Sequence, residues 1–468
     1  KRYVLPKYPR HDEAEMSKSL DTLWEKVRAQ KTRIPSLYGD IDFDATPERF
    51  TDDLNVRSTL PSKFAGKYRP AILEDKEKVE RARAYTLLGD TVADAYAALM
   101  PQYGFRRLIT MLKQACDEGL DAVEDAPQEL LDFIHAMEHT PDWVDMDLVR
   151  EGARLSRNQM ANLAPWVIRG AFVATFMNKY SGLPMAITGT LANDSVNQRI
   201  NETSSFFTTA TLPGALERFG PGFKAAAMVR LMHSMVRFNI LKRSTPDKGG
   251  LWDPAVYGIP IPQVDQMPAG TMPAYLTAFK AMRKGRTEFT PNERAIVELS
   301  RYQCFLLGLP EELLPANAQD IIDTMLTYSG TLREGYDHQT CGELTRATMS
   351  VYRPKDKRLL SKLHNMVERS YSKVFFTEAF LGRKDKTKAR EMGVEPHLLD
   401  YALFTVGNLF VLPRLTAFRV LQDIPVANKI ADRILVKRIK ELLVEYGHAE
   451  YTTDANQYSD TGQKSAAA

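Results

Sequence analysis

Three cysteines in 468 residues, Cys116, Cys304 and Cys341, are too few and too scattered for a disulfide framework. None sits in a CxxC pair, which excludes a zinc ribbon or a dithiol redox motif; all three read as small buried hydrophobes. Charge of one sign is also lacking. Lys and Arg number 62 against 59 Asp and Glu. That balance gives no support for the clustered basic footprint of a nucleic-acid binder and suits a neutral or apolar substrate. Apolar runs are short. None reaches the roughly 18 residues of a membrane span. The two nearest, residues 163–177 (interrupted by Arg169) and 401–413, read as buried core helices, so no integral span is expected. Strict alternation of apolar and polar residues is scarce, which excludes a sheet protein. No GxGxxG, Walker A loop, GxSxG elbow or catalytic Cys–His spacing stands out.

What is present is helical. Residues 75–100, "DKEKVERARAYTLLGDTVADAYAALM", repeat apolar residues at helical spacing after a charged start. Residues 291–309 open with Pro291, Asn292 and Glu293, residue types suited to a helix start. "PHLLDYALFTVGNLFVL" and "ANKIADRILVKRIKELLVEYG" continue the pattern toward the C-terminus. The expected fold class is all-α. Residues 31–70, rich in Pro, Asp and Arg, read as a wrapping arm. Residues 243–274, dense in Pro and Gly, read as a long loop of the kind that is often functional. Residues 382–393 read as a charged surface connection, and the polar stretch after Tyr451 as a disordered tail.

Three stretches carry candidate chemistry. "HAMEH" places His135, Glu138 and His139 in the H-x-x-E-H pattern, in which two histidines on one helix face hold zinc. His139 precedes Thr140 and Pro141, so a helix-end histidine answering the helix dipole explains the same residues. "MVRLMHSMVR" places His233 on an apolar helix face with Val229, Val236 and Ile240, bordered by Arg230 and Arg237. A satisfied core histidine is one reading. The other is haem: an axial nitrogen in an apolar wall, with the two arginines as cations for the propionates. "RINET" brings Arg199, Glu202 and Thr203 onto one helix face, either as a surface Arg–Glu pair or as a set of polar groups in a site.

Together, "WVDMDLVREGARL" (143–155), "RINET" (199–203), "KAAAMVRLMHSMVRFNIL" (224–241) and "YGIPIPQVDQM" (257–267) resemble the latex clearing proteins in order and spacing. These are bacterial rubber oxygenases within a larger family of histidine-ligated oxygenases. The resemblance spans roughly residues 85–330. It implies a haem-b iron enzyme with a globin-like helical core over 85–330, an N-terminal arm with extra helices over 1–84, and further helices over 331–450, before the tail at 451–468. It places the proximal histidine on His233, and the distal arginine and threonine on Arg199 and Thr203. It departs at two positions. Some members carry a lysine just before the threonine, where Glu202 stands here. The family's glutamate, some twenty residues before the threonine, falls near Leu183.

The resemblance thus implies cleavage of the C=C bonds of poly(cis-1,4-isoprene) with O2, giving aldehyde and ketone ends. Glu202 is then the candidate base for an allylic proton, Arg199 and Thr203 polar groups on the oxygen side, and Arg230 and Arg237 propionate contacts. Secretion is expected, because rubber cannot enter a cell. The alternatives are a related haem oxygenase acting on the prenyl chains of small terpenoids, a haem-binding helical protein without activity, and last a zinc hydrolase through His135 and His139.

Overall fold

Helices make up nearly all of the regular structure. The computed structural model describes residues 13–187, 193–244, 250, 252–381 and 386–447. Among these the fold is all-α, with no strand beyond two isolated bridges, Phe50–Leu332 and Ser58–Arg333. The principal helices are α1 (Glu13–Arg33), α2 (Lys76–Tyr85), α3 (Thr91–Ala97), α4 (Gln128–Glu138), α5 (Ala164–Ala174), α6 (Asn193–Thr209), α7 (Pro221–Arg243), α8 (Gln263–Arg283), α9 (Pro291–Leu306), α10 (Ala318–Thr331), α11 (Leu359–Phe376), α12 (Leu398–Asp423) and α13 (Ala427–Tyr446). The expected tail at 451–468 lies outside the described residues, as do 382–385 of the charged connection, whose later part holds a short helix, Lys386–Glu391.

The chain forms two units, Lys1–Val149 with Ala226–Glu334, and Arg150–Ala225 with Gly335–Ala468. Each draws on two separate stretches, where the sequence reads as contiguous blocks.

In the first unit, α8, α9 and α10 share a core of Ala274, Ala278, Val297, Ala318, Ile321 and Ile322. Helix α9 starts with a reciprocal capping box. Thr290 accepts from the Glu293 amide, and the Glu293 carboxylate accepts from the Thr290 amide, a device that contributes about 1 kcal/mol. The arm over residues 31–70 lies against the end of α10: the Thr51 and Thr59 amides donate to the carbonyls of Thr331 and Leu332.

Two sequence expectations change in this unit. The helical pattern over 75–100 is interrupted between α2 and α3, because Gly89 packs so tightly against Tyr38 and Asp94 that a Cβ would collide with both. The break restarts the helix at Asp90, whose side chain caps α3 by accepting from the Ala93 amide. The loop over 243–274 is also only partly a loop. Residues 263–274 form the start of α8 in spite of Pro268 and Pro273. Burial of Val264, Met267, Gly270 and Ala274 offsets the lost backbone bonds, and Gly270 lets the Cys304 sulfur of α9 press where a Cβ would sit. Residues 245–249 and 251 of that stretch lie outside the described residues.

In the second unit, α5 packs against α11 so closely that a Cβ on Gly170 would stand 2.5 Å from the Ser372 carbonyl. Helix α5 is a core helix, as its sequence suggests, and Arg169 does not interrupt it. The guanidinium is fully buried, pairs with Glu368 at 2.7 Å and donates to the carbonyls of Thr348 and Val351 at 2.8 and 2.9 Å. Burial pushes the Glu368 carboxyl up, but Arg169 and Arg353 more than offset this and hold it below the ordinary value. The other apolar run behaves differently. Residues 401–413 belong to α12, and only 11% of the most apolar window of that helix is buried. The expectation of a core helix fails here because α12 buries only a narrow face. Gly407 seats on the Tyr371 ring and Val411 is buried, while most of the remaining apolar side chains face outward.

Candidate functional site

His233 lies near the middle of α7 and is half-buried, between the buried Met232 and Ser234. Its Nδ1 stands 3.0 Å from the Gln266 Oε1. Gln266 Nε2 donates to Gln263 Oε1 at 3.3 Å, and Gln263 Nε2 donates to the Gly89 carbonyl at 3.4 Å. The direction of this chain is set from its far end. A backbone carbonyl only accepts, so the amide nitrogen of Gln263 faces it and its oxygen faces Gln266. Gln266 then turns its own oxygen to the imidazole, which makes Nδ1 the donor. With the amides in these orientations the imidazole carries its proton on Nδ1. A metal-binding histidine is oriented in the same way by a partner on its other nitrogen.

Two buried ion pairs bracket this residue. Arg230, one turn before it, donates through Nε and Nη2 to Asp90, with the Nη2 bond at 3.0 Å. Arg237, one turn after it, pairs with Asp94, and both side chains are fully buried. Asp90 caps α3 and Asp94 lies one turn further on, so the two pairs clamp α3 against α7 above and below His233. Tyr38 donates to the second oxygen of Asp94 at 2.6 Å. Burial, and then the Asp94 charge, push its phenol well above the ordinary value, so it remains a donor.

Arg230 and Arg237, expected from the sequence as propionate contacts, each hold an internal carboxylate here. Their charges are compensated inside the protein, and breaking either pair would leave a buried charge uncompensated.

Arg237 also explains the "YGIPIPQVD" motif. Its Nε donates to the Pro260 carbonyl at 2.8 Å, and its Nη2 donates to that of Ile261. Ile261 has φ +48°, a left-handed conformation that costs about 1 kcal/mol or more in a β-branched residue. The arginine holds the chain in that bend. Gly258, at φ +68°, brings the loop so close to the Thr86 carbonyl that a Cβ would stand 2.5 Å from it. The Ile259 amide donates to that carbonyl, and the Gln263 amide donates to that of Leu88. The motif is therefore a bracket that delivers Gln263 and Gln266 to His233.

Arg199, Glu202 and Thr203 lie on α6, in the second unit. Arg199 Nη1 donates to Glu202 at 3.3 Å, and Gln198 donates to the other Glu202 oxygen at 3.0 Å. Both oxygens of the candidate base are thus occupied by donors on its own helix. Thr203 is half-buried, beside the buried Ser204. His135, Glu138 and His139 are all exposed at the end of α4, and among the described residues no group of three or more His, Cys, Asp or Glu side chains is placed to hold a metal ion. The zinc reading gains no support. The three cysteines are buried thiols, and burial pushes the Cys304 thiol up to about 12, so it is inert.

Four residues of this arrangement escape the sequence reading: Asp90, Asp94, Gln263 and Gln266. Their signal is a matching of spacings. Two aspartates one helical turn apart answer two arginines two turns apart, and two glutamines at i,i+3 stand inside the quoted motif.

Comparison with known proteins points to a class of chemistry. Residues 159–372 match the family model described as ER-bound oxygenase mpaB/B'/rubber oxygenase, catalytic domain. His233, Gln263, Gln266 and the α6 residues all fall within that range, whereas Asp90 and Asp94 lie outside it. A solved structure described as latex clearing protein LCP in the closed state superposes with a TM-score of 0.50 at 16% identity, over 76% of this chain and 91% of that one. No curated protein sequence matches. The solved structure shares the all-α fold of this chain. Residues 159–372 are similar to the ER-bound oxygenase and rubber oxygenase catalytic domain, and that match points to oxygenase chemistry.

Proposed function

We propose that this chain is a haem-dependent oxygenase that cleaves the C=C bonds of an isoprenoid, with His233 as the residue that would hold haem b and poly(cis-1,4-isoprene) as substrate. The observation that carries the reading is the directed chain from His233 through Gln266 and Gln263 to the Gly89 carbonyl. It spends two amide side chains, one of them fully buried, on fixing which nitrogen of a single imidazole is basic. The donor set fits the group, because a proximal histidine needs Nε2 basic, Nδ1 anchored and an apolar wall. Val229, Val236 and Ile240, on the same face of α7 as His233, are the apolar side chains beside it. Bound haem supplies the oxygen chemistry, which no side chain of this protein provides.

The chain's own residues do the rest. Gln266 holds the imidazole at a fixed rotation and raises its basicity by accepting the Nδ1 proton. The Asp90–Arg230 and Asp94–Arg237 pairs prevent α7 from sliding or turning. Arg199 and Thr203 are assigned the polarity of the oxygen side, and Glu202 the removal of an allylic proton. For that step the carboxylate must turn one oxygen from Gln198 or Arg199 toward the substrate, so Gln198 and Arg199 set its readiness as a base. A hydrocarbon substrate has no group for hydrogen bonding, so its selection rests on apolar shape. A polymer of that size also places the enzyme outside the cell.

A second reading rests on Glu202 and Leu183, the two departures from the rubber-oxygenase pattern. It is a haem oxygenase of the same family acting on the prenyl chains of small terpenoids. Product analysis with polyisoprene and with squalene separates the two. The haem assignment is tested apart from activity by long-range 1H–15N spectra of the haem-free protein labelled at histidine. They should show His233 protonated at Nδ1, and Gln266→Leu should abolish that preference. A Nε2-protonated His233 would overturn the assignment.

A further inference from the structure

Helix α12 is 26 residues long, about 39 Å at 1.5 Å per residue. From Leu398 to Pro413 its only charged side chain is Asp400, which is half-buried and paired with Lys373 at 2.9 Å. The outward face is apolar: Leu398 is 90% exposed, Leu409 69% and Phe410 54%. Helix α11 runs antiparallel beside it, since Ser370 bonds Asp400 while the earlier Val367 meets Gly407. The start of α11 thereby adds Leu359 and Leu360, also largely exposed, near the C-terminal half of α12. Together these side chains form an apolar surface far more continuous than the scattered exposed hydrophobics of a soluble monomer.

The charge around this surface has one dominant sign. Lys357, Arg358 and Lys362 flank Leu359 and Leu360, and Arg414 follows Pro413; all four are exposed. On α13 the exposed Lys429, Arg433, Lys437 and Lys440 point outward, and among the described residues no carboxylate pairs with any of them. An apolar face rimmed mainly by cations, with Asp356 beside Arg358 the exposed carboxylate at that edge, matches a bilayer surface, with acyl chains under the leucines and anionic headgroups against the lysines and arginines. A contact between two copies would instead bring like charges together.

We propose that the α11–α12–α13 surface docks the protein peripherally on anionic lipid bilayers. The helix lies along the interface and does not cross it. Its inner edge is tied to its own unit by Lys373–Asp400, by the Tyr371 hydroxyl donating to Asn408 at 2.9 Å, and by Gln422 donating to the Arg154 carbonyl at 3.0 Å. Insertion across the bilayer would break all three. The surface needs no haem, so the inference stands apart from the catalytic assignment.

The test is co-sedimentation of the purified full chain with vesicles of phosphatidylcholine alone and of phosphatidylcholine mixed with phosphatidylglycerol. The expected result is binding that requires the anionic lipid and is largely lost at about 1 M salt. It should fall at least about tenfold in Arg433→Glu/Lys437→Glu, which changes only exposed side chains. Leu409→Asp/Phe410→Asp should weaken it similarly, with an unchanged circular dichroism spectrum and melting temperature. No binding to either vesicle would overturn the proposal; a dimer in solution in that case would make the face a contact between copies. Equal binding to both vesicles would overturn the charge-directed part.

Discussion

Replacing Asp94 by alanine removes the carboxylate that compensates Arg237 where both side chains are fully buried. Three groups lose a partner at once. The guanidinium keeps the carbonyls of Pro260 and Ile261 but loses its counter-charge, and the Tyr38 hydroxyl loses its acceptor. Breaking one side of a buried pair costs about 3–5 kcal/mol, and a stranded hydroxyl adds about 1–3 kcal/mol where it finds no water. A loss near the lower end, about 3–5 kcal/mol, is expected after relaxation, which in a unit of this size lowers the melting temperature by on the order of 10 °C. Urea unfolding of the purified protein measures it. Asp94→Leu combined with Arg237→Met removes both charges together and should recover at least about 1 kcal/mol relative to Asp94→Ala. The recovery is incomplete because Tyr38 and the two loop carbonyls remain without their partners. A loss below about 1 kcal/mol for Asp94→Ala would refute the reasoning. Arg237 would then not depend on Asp94 for its counter-charge, and a propionate role for it would return.

Other perturbations bear on different parts of the account. Gln266→Leu keeps the imidazole but removes the acceptor on Nδ1, so haem, once loaded, should be lost about 10–100-fold faster on transfer to apomyoglobin; an unchanged rate would remove Gln266 as an orienting residue. Glu202→Gln should lower product formation by about 100-fold or more with haem content unaltered, whereas unchanged turnover would exclude it as the base. Glu293 is held down to about 2, from an ordinary 4.5, chiefly by its bonds to Arg286 and then by the Thr290 cap. A carboxyl with a lowered folded-state value stabilises above its unfolded value and loses that contribution as pH falls through the folded one. The melting-temperature gap between wild type and Glu293→Gln should therefore be full at neutral pH and close between about pH 4.5 and pH 2. A gap independent of pH would contradict the ion-pair cap.

The sequence shows the all-α class, because helical spacing recurs along the chain and alternation does not. It also shows His233 as exceptional, as the one imidazole on an otherwise apolar stripe of α7. What it hides has a common physical origin. Periodicity reports which face is apolar and says nothing of where a close approach forbids a side chain. The break at Gly89 and the continuation of α8 through Pro268 and Pro273 were therefore both illegible, since tertiary packing decides them. Arg230 and Arg237 read as cations awaiting a ligand, because Asp90 and Asp94 are about 140 residues away in the chain. Residues 401–413 read as core by composition, yet α12 faces outward. An apolar surface meant for lipid and one meant for the interior have the same composition, and only the structure separates them.

The central claim is that His233 holds haem iron. Its most direct test is the visible absorption spectrum of wild type and His233→Ala, each incubated with haemin, desalted, and recorded before and after dithionite. A Soret band with the reduced-state α and β bands of haem b in wild type, absent from the folded variant, is the predicted result. A wild-type protein that takes up no haem, or a variant whose spectrum matches wild type, would contradict it and return His233 to the role of a hydrogen-bonded core histidine.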